Sequence, residues 1–268
     1  MCGAETDGIT GQDSVRLIDC DGGVAMVEIS RPQARNALDV ETVSALAAII
    51  DRLDGDPDIR AIIVTGSDGH FCAGSDIKEM ARRGFAGLRD PLRVSGWSRL
   101  EAVKTPFIAA VDGMALGAGL ELALLADFIV CTKDARFGFP EVKLGVIPGD
   151  GGSQRLPRLI GQNAALRLML TGEIIMADEA VRLGIAAAAD GGDRVARESA
   201  LRLATRIAAN APLATRAVKR VLRAGIDGRL SDGLALEAAA LEEMFASRDC
   251  AEGMAAFIAK RPAIFTGK

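Results

Sequence analysis

Residues 24–29 and 61–65 are short runs of β-branched and other apolar side chains, and the segment between them, 39–53, places Val40, Val43, Leu46, Ala47, Ile50 and Leu53 at helical spacing. That is a strand, helix, strand unit. A third run, 107–111, leads into a glycine-rich loop at 113–119 and then a helix with Glu121 in its opening turn. A fourth run, 128–132, leads toward Glu141. Repeated strand, loop, helix order restricts the chain to an α/β fold with helices packed on sheets, whose ligand sites lie at the loops leaving the strands.

From about residue 164 the pattern turns helical, with an Ala/Arg/Leu stretch over 196–224 and further helical segments at 233–245 and 253–260. Its Ala and Leu positions exceed the needs of one amphipathic stripe. Two explanations stand: packing on a neighbouring subunit, or cover for the chain's own sheet. The 80–97 region mixes Gly84, Gly87, Gly96 and Pro91 with basic residues and reads as a mobile flap. Residues 1–14 are polar, lack the basic and apolar regions of a secretory signal, and read as a flexible tail.

With 49% hydrophobic residues among 268, the chain can bury a substantial core in one or two domains. Lys and Arg number 32 against 36 Asp and Glu, a net charge of -4, so no global positive field gathers nucleic acid. A local basic pocket for a phosphorylated ligand remains open. The cysteines are five and scattered, with no C-x-x-C pair, and there is one histidine. They support neither a disulfide framework nor a zinc site and fit a reducing cytoplasm. Apolar runs end long before the roughly 20 residues needed to cross a bilayer, so no membrane span is expected.

Glu121 closes the glycine-rich run that begins at Asp112, and Glu141 closes Phe137-Gly138-Phe139-Pro140-Glu141. A carboxylate desolvated by apolar neighbours is pushed toward its neutral form, so two facing one cavity can divide acid and base work near neutral pH. With His70 the one histidine and no tyrosine, proton chemistry falls to carboxylates. Glu121 also has a role without catalysis, as a negative charge meeting a helix dipole. Its face is apolar, however, with Ala118 three residues before it and Leu125 four after. Asp76 reads as a helix-start residue and His70 as structural. The loops 113–119 and Gly74-Ser75-Asp76 are either tight turns or carriers of N–H groups that converge on one oxygen, an oxyanion hole for a carbonyl becoming an enolate. Familiar glycine motifs fail. Leu122 stands where a dinucleotide fingerprint needs glycine, Gly-Lys-Ser/Thr is lacking, and Arg155 breaks a nucleophile elbow.

Four stretches in order resemble motifs of the crotonase (enoyl-CoA hydratase/isomerase) superfamily: Ser30-Arg31-Pro32-Gln33-Ala34-Arg35-Asn36-Ala37-Leu38, Phe71-Cys72-Ala73-Gly74-Ser75-Asp76-Ile77-Lys78-Glu79-Met80, Ala115-Leu116-Gly117-Ala118-Gly119-Leu120-Glu121-Leu122-Ala123, and 137–141 with 145–156. The resemblance runs from about Val15 to Phe265. It implies a ββα spiral core with the active site over 15–198, and a helical C-terminal oligomerisation segment over 199–268 that builds a homotrimer or homohexamer. It also places oxyanion-hole N–H groups on Ser75 and Ala118. The family has glycine at the latter position; a methyl is tolerable there provided φ is not positive. Coenzyme A binding falls on Ala73, Ser75, Asp76, Ile77, Lys78 and Ala118, with Lys260 reaching a neighbour's ligand.

Members of the superfamily share the oxyanion hole across several reactions. Hydratases are similar to this chain in carrying both glutamates, twenty positions apart. The implied activity is reversible syn addition of water across the 2,3 double bond of an enoyl-CoA thioester, giving 3-hydroxyacyl-CoA in fatty-acid or related acyl-CoA degradation. Glu121 then deprotonates water and Glu141 exchanges the proton at the α carbon. No metal or redox cofactor is expected, coenzyme A being part of the substrate. Alternatives are double-bond isomerisation, thioester hydrolysis, or a non-catalytic relative that binds acyl-CoA or RNA. The acidic balance and the retention of both glutamates weigh against the last.

Overall fold

The computed structural model describes residues 14–190 and 196–268, so the expected tail lies, up to residue 13, outside the described residues. Strands β1 (Val15–Asp21) and β2 (Val24–Ile29) pair antiparallel through a turn at Gly22 and Gly23, both at positive φ. Helix α1 (Val40–Gly55) starts at Asp39, whose carboxylate accepts from Thr42 N at 2.8 Å. Its buried side covers the sheet, and β3 (Ala61–Gly66) returns parallel to β2.

Next come α2 (Ile77–Arg83), α3 (Phe85–Leu88) and α4 (Pro91–Glu101). The segment 80–97, expected as a flap, is therefore largely helical. Local signals account for α4. The Asp90 carboxylate accepts from Leu92 N at 3.0 Å, and Pro91 takes the first helical position, where a missing N–H is harmless. Gly96 lets α4 lie close on α1: a methyl there would stand 2.8 Å from Val43 Cγ1.

The chain continues through β4 (Phe107–Val111), β5 (Met114–Leu116), α5 (Ala118–Ala123), β6 (Phe128–Thr132), β7 (Arg136–Gly138), α6 (Gly152–Ile160), α7 (Gln162–Thr171), β8 (Ile174–Met176), α8 (Ala177–Leu183) and β9 (Ala188–Asp190). The main sheet has the order β1-β2-β3-β4-β6-β9 and is parallel from β2 onward. A smaller sheet has the order β5-β7-β8. The unit β4, β5, α5 recurs as β6, β7, α6. It is begun by β3, a lone bridge from Cys72 to Ala115, and α2. Because β3, β4 and β6 lie side by side in one layer, and Cys72, β5 and β7 in the same order in the other, the chain winds as a spiral of ββα turns.

Strands β2, β3 and β4 are buried on both faces, as expected of parallel strands inside a sheet. Ala25, Val27 and Ile29 point into the larger core, while Val24 and Met26 point to the other face. That face is covered by α9 (Ala196–Ala208), which presents Ala196, Ala200, Ala204 and Ala208, one small residue every fourth position. The Asp112 carboxylate accepts from Ala196 N at 2.9 Å and starts this helix. Three further helices follow, α10 (Pro212–Ile226), α11 (Leu230–Phe245) and α12 (Arg248–Ile258). The helical stretch at 196–224 is split because Pro212 lacks an N–H and begins α10 instead. Asp127 ties α10 to the sheet through Arg223 at 2.8 Å and Lys219 at 3.0 Å. Among the described residues no helix is long and apolar enough to cross a membrane.

Candidate active site

Loops leaving the parallel strands meet at one end of the main sheet, and the motif at 30–38 prepares the first of them. Asn36 is fully buried and left-handed (φ 59°), and donates to Ser67 O at 2.8 Å and His70 O at 2.6 Å. Arg31 reaches Asp39 at 2.8 Å and Asp76 at 3.0 Å. Leu38 N donates to Gly74 O at 2.8 Å, and Leu38 O accepts from Asp76 N at 2.9 Å. This parallel pairing uses residues 74 and 76, and so turns the Ser75 N–H to the opposite side.

Ala118 stands near Gly74. A methyl on Gly74 would lie 3.1 Å from Leu116 O and 3.9 Å from Ala118 N. Ala118 is the first residue of α5, where an N–H has no acceptor within the helix. Gly117, at φ 51° and ψ -126°, takes up the positive φ, and Ala118 carries its methyl outside the positive-φ region. Gly119 permits the close approach of α5 to the preceding loop, since a methyl there would stand 2.3 Å from Cys72 O. Ser75 and Ala118 thus offer N–H groups from adjacent loops, each outside the hydrogen-bond ladder of its own segment.

Glu121 lies in the same turn of α5 and is 1% exposed. Its Oε1 accepts from Asp150 N at 2.8 Å and Gly152 N at 2.7 Å. Burial pushes the carboxyl up to about 7, the negative charge of Asp150 and then of Glu141 add to this, and the two N–H donors oppose it. Glu141 sits in a 3-10 turn, Pro140–Leu144, directly after β7. Burial raises its carboxyl too, with Asp150 adding. Glu141 Oε2 is buried without a hydrogen-bond partner, and Oε1 would stand 2.9 Å from a methyl on Gly117. Gly117 O in turn accepts from Glu121 N at 2.9 Å. One helical turn therefore gathers the Ala118 donor, the Glu121 carboxyl and, against its first glycine, the Glu141 carboxyl.

Ala73, Ser75 and Asp76 are half-buried, while Ile77 and Lys78 are exposed. Asp76 starts α2, accepting from Lys78 N at 3.0 Å and Glu79 N at 3.2 Å, as its sequence context suggests. Beside it opens a polar cleft of about 340 Å³, lined by Arg31, Asp39, Asp76, Lys78, Glu79 and Arg82 among others. Lys260 stands exposed just past α12, at φ 52°, and does not line this cleft. A second cavity, about 440 Å³ between residues 101–104 and the helices α10 and α11, contains none of these groups. His70 belongs to the turn after β3, its Nδ1 buried. Burial pushes the Cys72 thiol up to about 12, which removes it as a nucleophile. Among the described residues no three His, Cys, Asp or Glu side chains are grouped to hold a metal.

Sequence pattern alone misses two residues here, Asp150 and Arg93. Asp150 donates its N–H to Glu121, and its carboxylate pairs with Arg93, whose side chain is 4% exposed and lies 5.7 Å from the Trp97 ring centroid. A signal existed for Asp150, an acid between two glycines nine positions after Glu141. Arg93 is one of several basic residues in a stretch read as a flap, and nothing marks it.

The family model described as enoyl-CoA hydratase/isomerase matches residues 19–268. A Mycobacterium bovis protein named probable enoyl-CoA hydratase is 44% identical over 250 residues, 93% of this chain and 97% of the relative. The 2,3-dehydroadipyl-CoA hydratase of Escherichia coli is 40% identical over 245 residues, 91% of this chain and 96% of the relative. A crystal structure of an enoyl-CoA hydratase subunit from Geobacillus kaustophilus superimposes with a TM-score of 0.90 at 42% identity, covering 95% of this chain and 98% of that one. With sequence and fold matched over nearly the whole length, the chain belongs to the enoyl-CoA hydratase/isomerase family.

Proposed function

We propose that this protein is an enoyl-CoA hydratase that adds water reversibly and syn across the 2,3 double bond of a 2-enoyl-CoA, giving 3-hydroxyacyl-CoA. The observation that carries the proposal is the pair of carboxyls, Glu121 buried and Glu141 half-buried, set about the Ala118 N–H with the Ser75 N–H nearby. The thioester oxygen accepts from Ser75 and Ala118, which hold the charge that develops as the enolate forms. Glu121, its Oε1 occupied by two N–H donors, orients water with Oε2 and takes one proton as the oxygen bonds to C3. Glu141 delivers its proton to C2. The pair begins and ends with one proton, moved from Glu141 to Glu121, and exchange with solvent resets it.

Coenzyme A runs along Ala73, Ser75, Asp76, Ile77 and Lys78 in this proposal, and the exposed ammonium of Lys78 suits its phosphates. The outer faces of α11 and α12, with Leu234, Phe245, Phe257 and Ile258 exposed, support assembly into trimers or a dimer of trimers, which would bring Lys260 to a neighbour's ligand. The setting is cytoplasmic acyl-CoA degradation, and coenzyme A enters with the substrate rather than as a resident cofactor.

Loss of the conjugated absorbance of crotonyl-CoA on mixing with the protein tests the proposal, and persistence of that absorbance at high enzyme concentration contradicts it. A pH profile tests the role of Glu121. A carboxyl raised to about 7 is neutral, and useless as a base, below that pH. In Glu141→Gln only Glu121 need ionise, so the residual hydration rate is expected to climb about tenfold per unit toward pH 7 and then level. A rate that stays flat from about pH 5.5 to about pH 8.5 removes Glu121 as the base.

A further inference from the structure

We propose that the buried Arg93–Asp150 ion pair is a positioning device for Glu121: it fixes the loop whose N–H groups hold that carboxyl, and its charge balance decides how readily Glu121 keeps a proton. Asp150 supplies both halves of this device, because its N–H donates to Glu121 Oε1 while its carboxylate pairs with Arg93 from α4. The loop is also gripped from α6, where Arg155 Nη1 donates to Asp150 O at 2.9 Å and Nη2 pairs with Glu101. Arg93 is locked by burial and by the Trp97 ring beneath it. Its Nε is buried without a hydrogen-bond partner, and its Nη2 pairs with Asp150.

Burying such a pair adds little net stability, since desolvation offsets the attraction between the charges. Its effect falls on the neighbouring carboxyl. The groups facing Glu121 are Asp150 from the 149–152 loop and Glu141 from the turn after β7, both acidic. Arg93 from α4 and Arg155 from α6 stand beyond Asp150, both positive. Deleting the charge of Asp150 takes away a like charge and leaves Arg93 uncompensated, and both changes favour the Glu121 anion. Deleting the charge of Arg93 leaves Asp150 at full strength and favours the neutral acid.

The two substitutions must therefore shift Glu121 in opposite directions, which a merely structural pair would not do. The readout is the pH-dependent infrared C=O band of a protonated buried carboxyl, assigned to Glu121 by its loss in Glu121→Gln. Asp150→Asn is expected to lower the midpoint by about one unit, a tenfold weaker hold on the proton, and Arg93→Gln to raise it by about as much. Because Arg93→Gln strands a buried carboxylate and can unfold the site, the double variant Arg93→Gln/Asp150→Asn carries the second arm. Its midpoint is expected to return from that of Asp150→Asn toward the wild type. Midpoints within about 0.3 unit of the wild type in both single variants, shifts of the same sign, or a double variant equal to Asp150→Asn overturn the inference. Its bearing on rate rests on the proposed hydratase reading, but the infrared midpoint reports on Glu121 whatever the reaction. Divergent midpoints in a protein that does not hydrate crotonyl-CoA uphold the inference and sink that reading alone.

Discussion

Glu121→Gln is expected to lower kcat for hydration by about 100- to 10,000-fold while leaving the fold and KM nearly unchanged. The amide oxygen can still accept from Asp150 N and Gly152 N, the two donors that now hold Oε1. The amide nitrogen cannot take a proton from water. The buried carboxylate sits beside Asp150 at a cost that shows in its midpoint of about 7, so the neutral amide should match or exceed wild-type stability above neutral pH. Sign is clear from that shift: a carboxyl raised above its unfolded value stabilises the fold below its unfolded midpoint and loses this contribution as pH rises through about 7. Steady-state kinetics with crotonyl-CoA, together with thermal melts at pH 6 and pH 8, check both halves. A loss of less than about tenfold in both Glu121→Gln and Glu141→Gln contradicts the two-carboxyl mechanism.

Ala118→Pro is expected to lower kcat/KM by about 100- to 1,000-fold or more with α5 intact. Proline removes the one N–H that Ala118 would bring to the thioester oxygen in the proposed mechanism, and it does so at the first helical position, where proline is well tolerated. The preceding residue usually limits such a change, because proline disfavours several conformations of its neighbour. Gly117 lies at φ 51° and ψ -126°, the mirror image of a polyproline conformation, which an achiral glycine adopts before proline without a clash. Ala118→Gly serves as the control, since it keeps the N–H and should retain most of the activity. Wild-type kinetics in a folded Ala118→Pro protein would exclude Ala118 as a donor to the substrate.

The long parallel strands and α1 were legible because their signals are local: β-branched runs at 24–29, 107–111 and 128–132, and an apolar stripe after Asp39. Strands β5, β7 and β8 were not. Each is three residues long and gains its identity from pairing across the second sheet, a contact with no periodicity to display. The helices at 77–101 were hidden by Gly84, Gly87 and Gly96, which read as flexibility, although Gly96 in α4 provides room for Val43. At the site, Glu121 and Glu141 stood out as acids in apolar surroundings. Asp150 was overlooked because its partner, Arg93, lies far along the chain and the two meet only when α4 folds against the 149–152 loop. The conditional tolerance of Ala118 for its methyl was readable from stereochemistry alone, since the positive φ falls on Gly117.

The proposed chemistry adds water across the double bond at this pair of carboxyls. Incubation of crotonyl-CoA with the protein in deuterated, oxygen-18 water, followed by mass spectrometry of the product, measures that step directly. The expected product carries one oxygen-18 at C3 and one deuterium at C2, and Glu121→Gln forms it at least about 100-fold more slowly. Oxygen-18 found in a released carboxylic acid, or deuterium incorporated without oxygen-18, would mean hydrolysis or isomerisation and would contradict it.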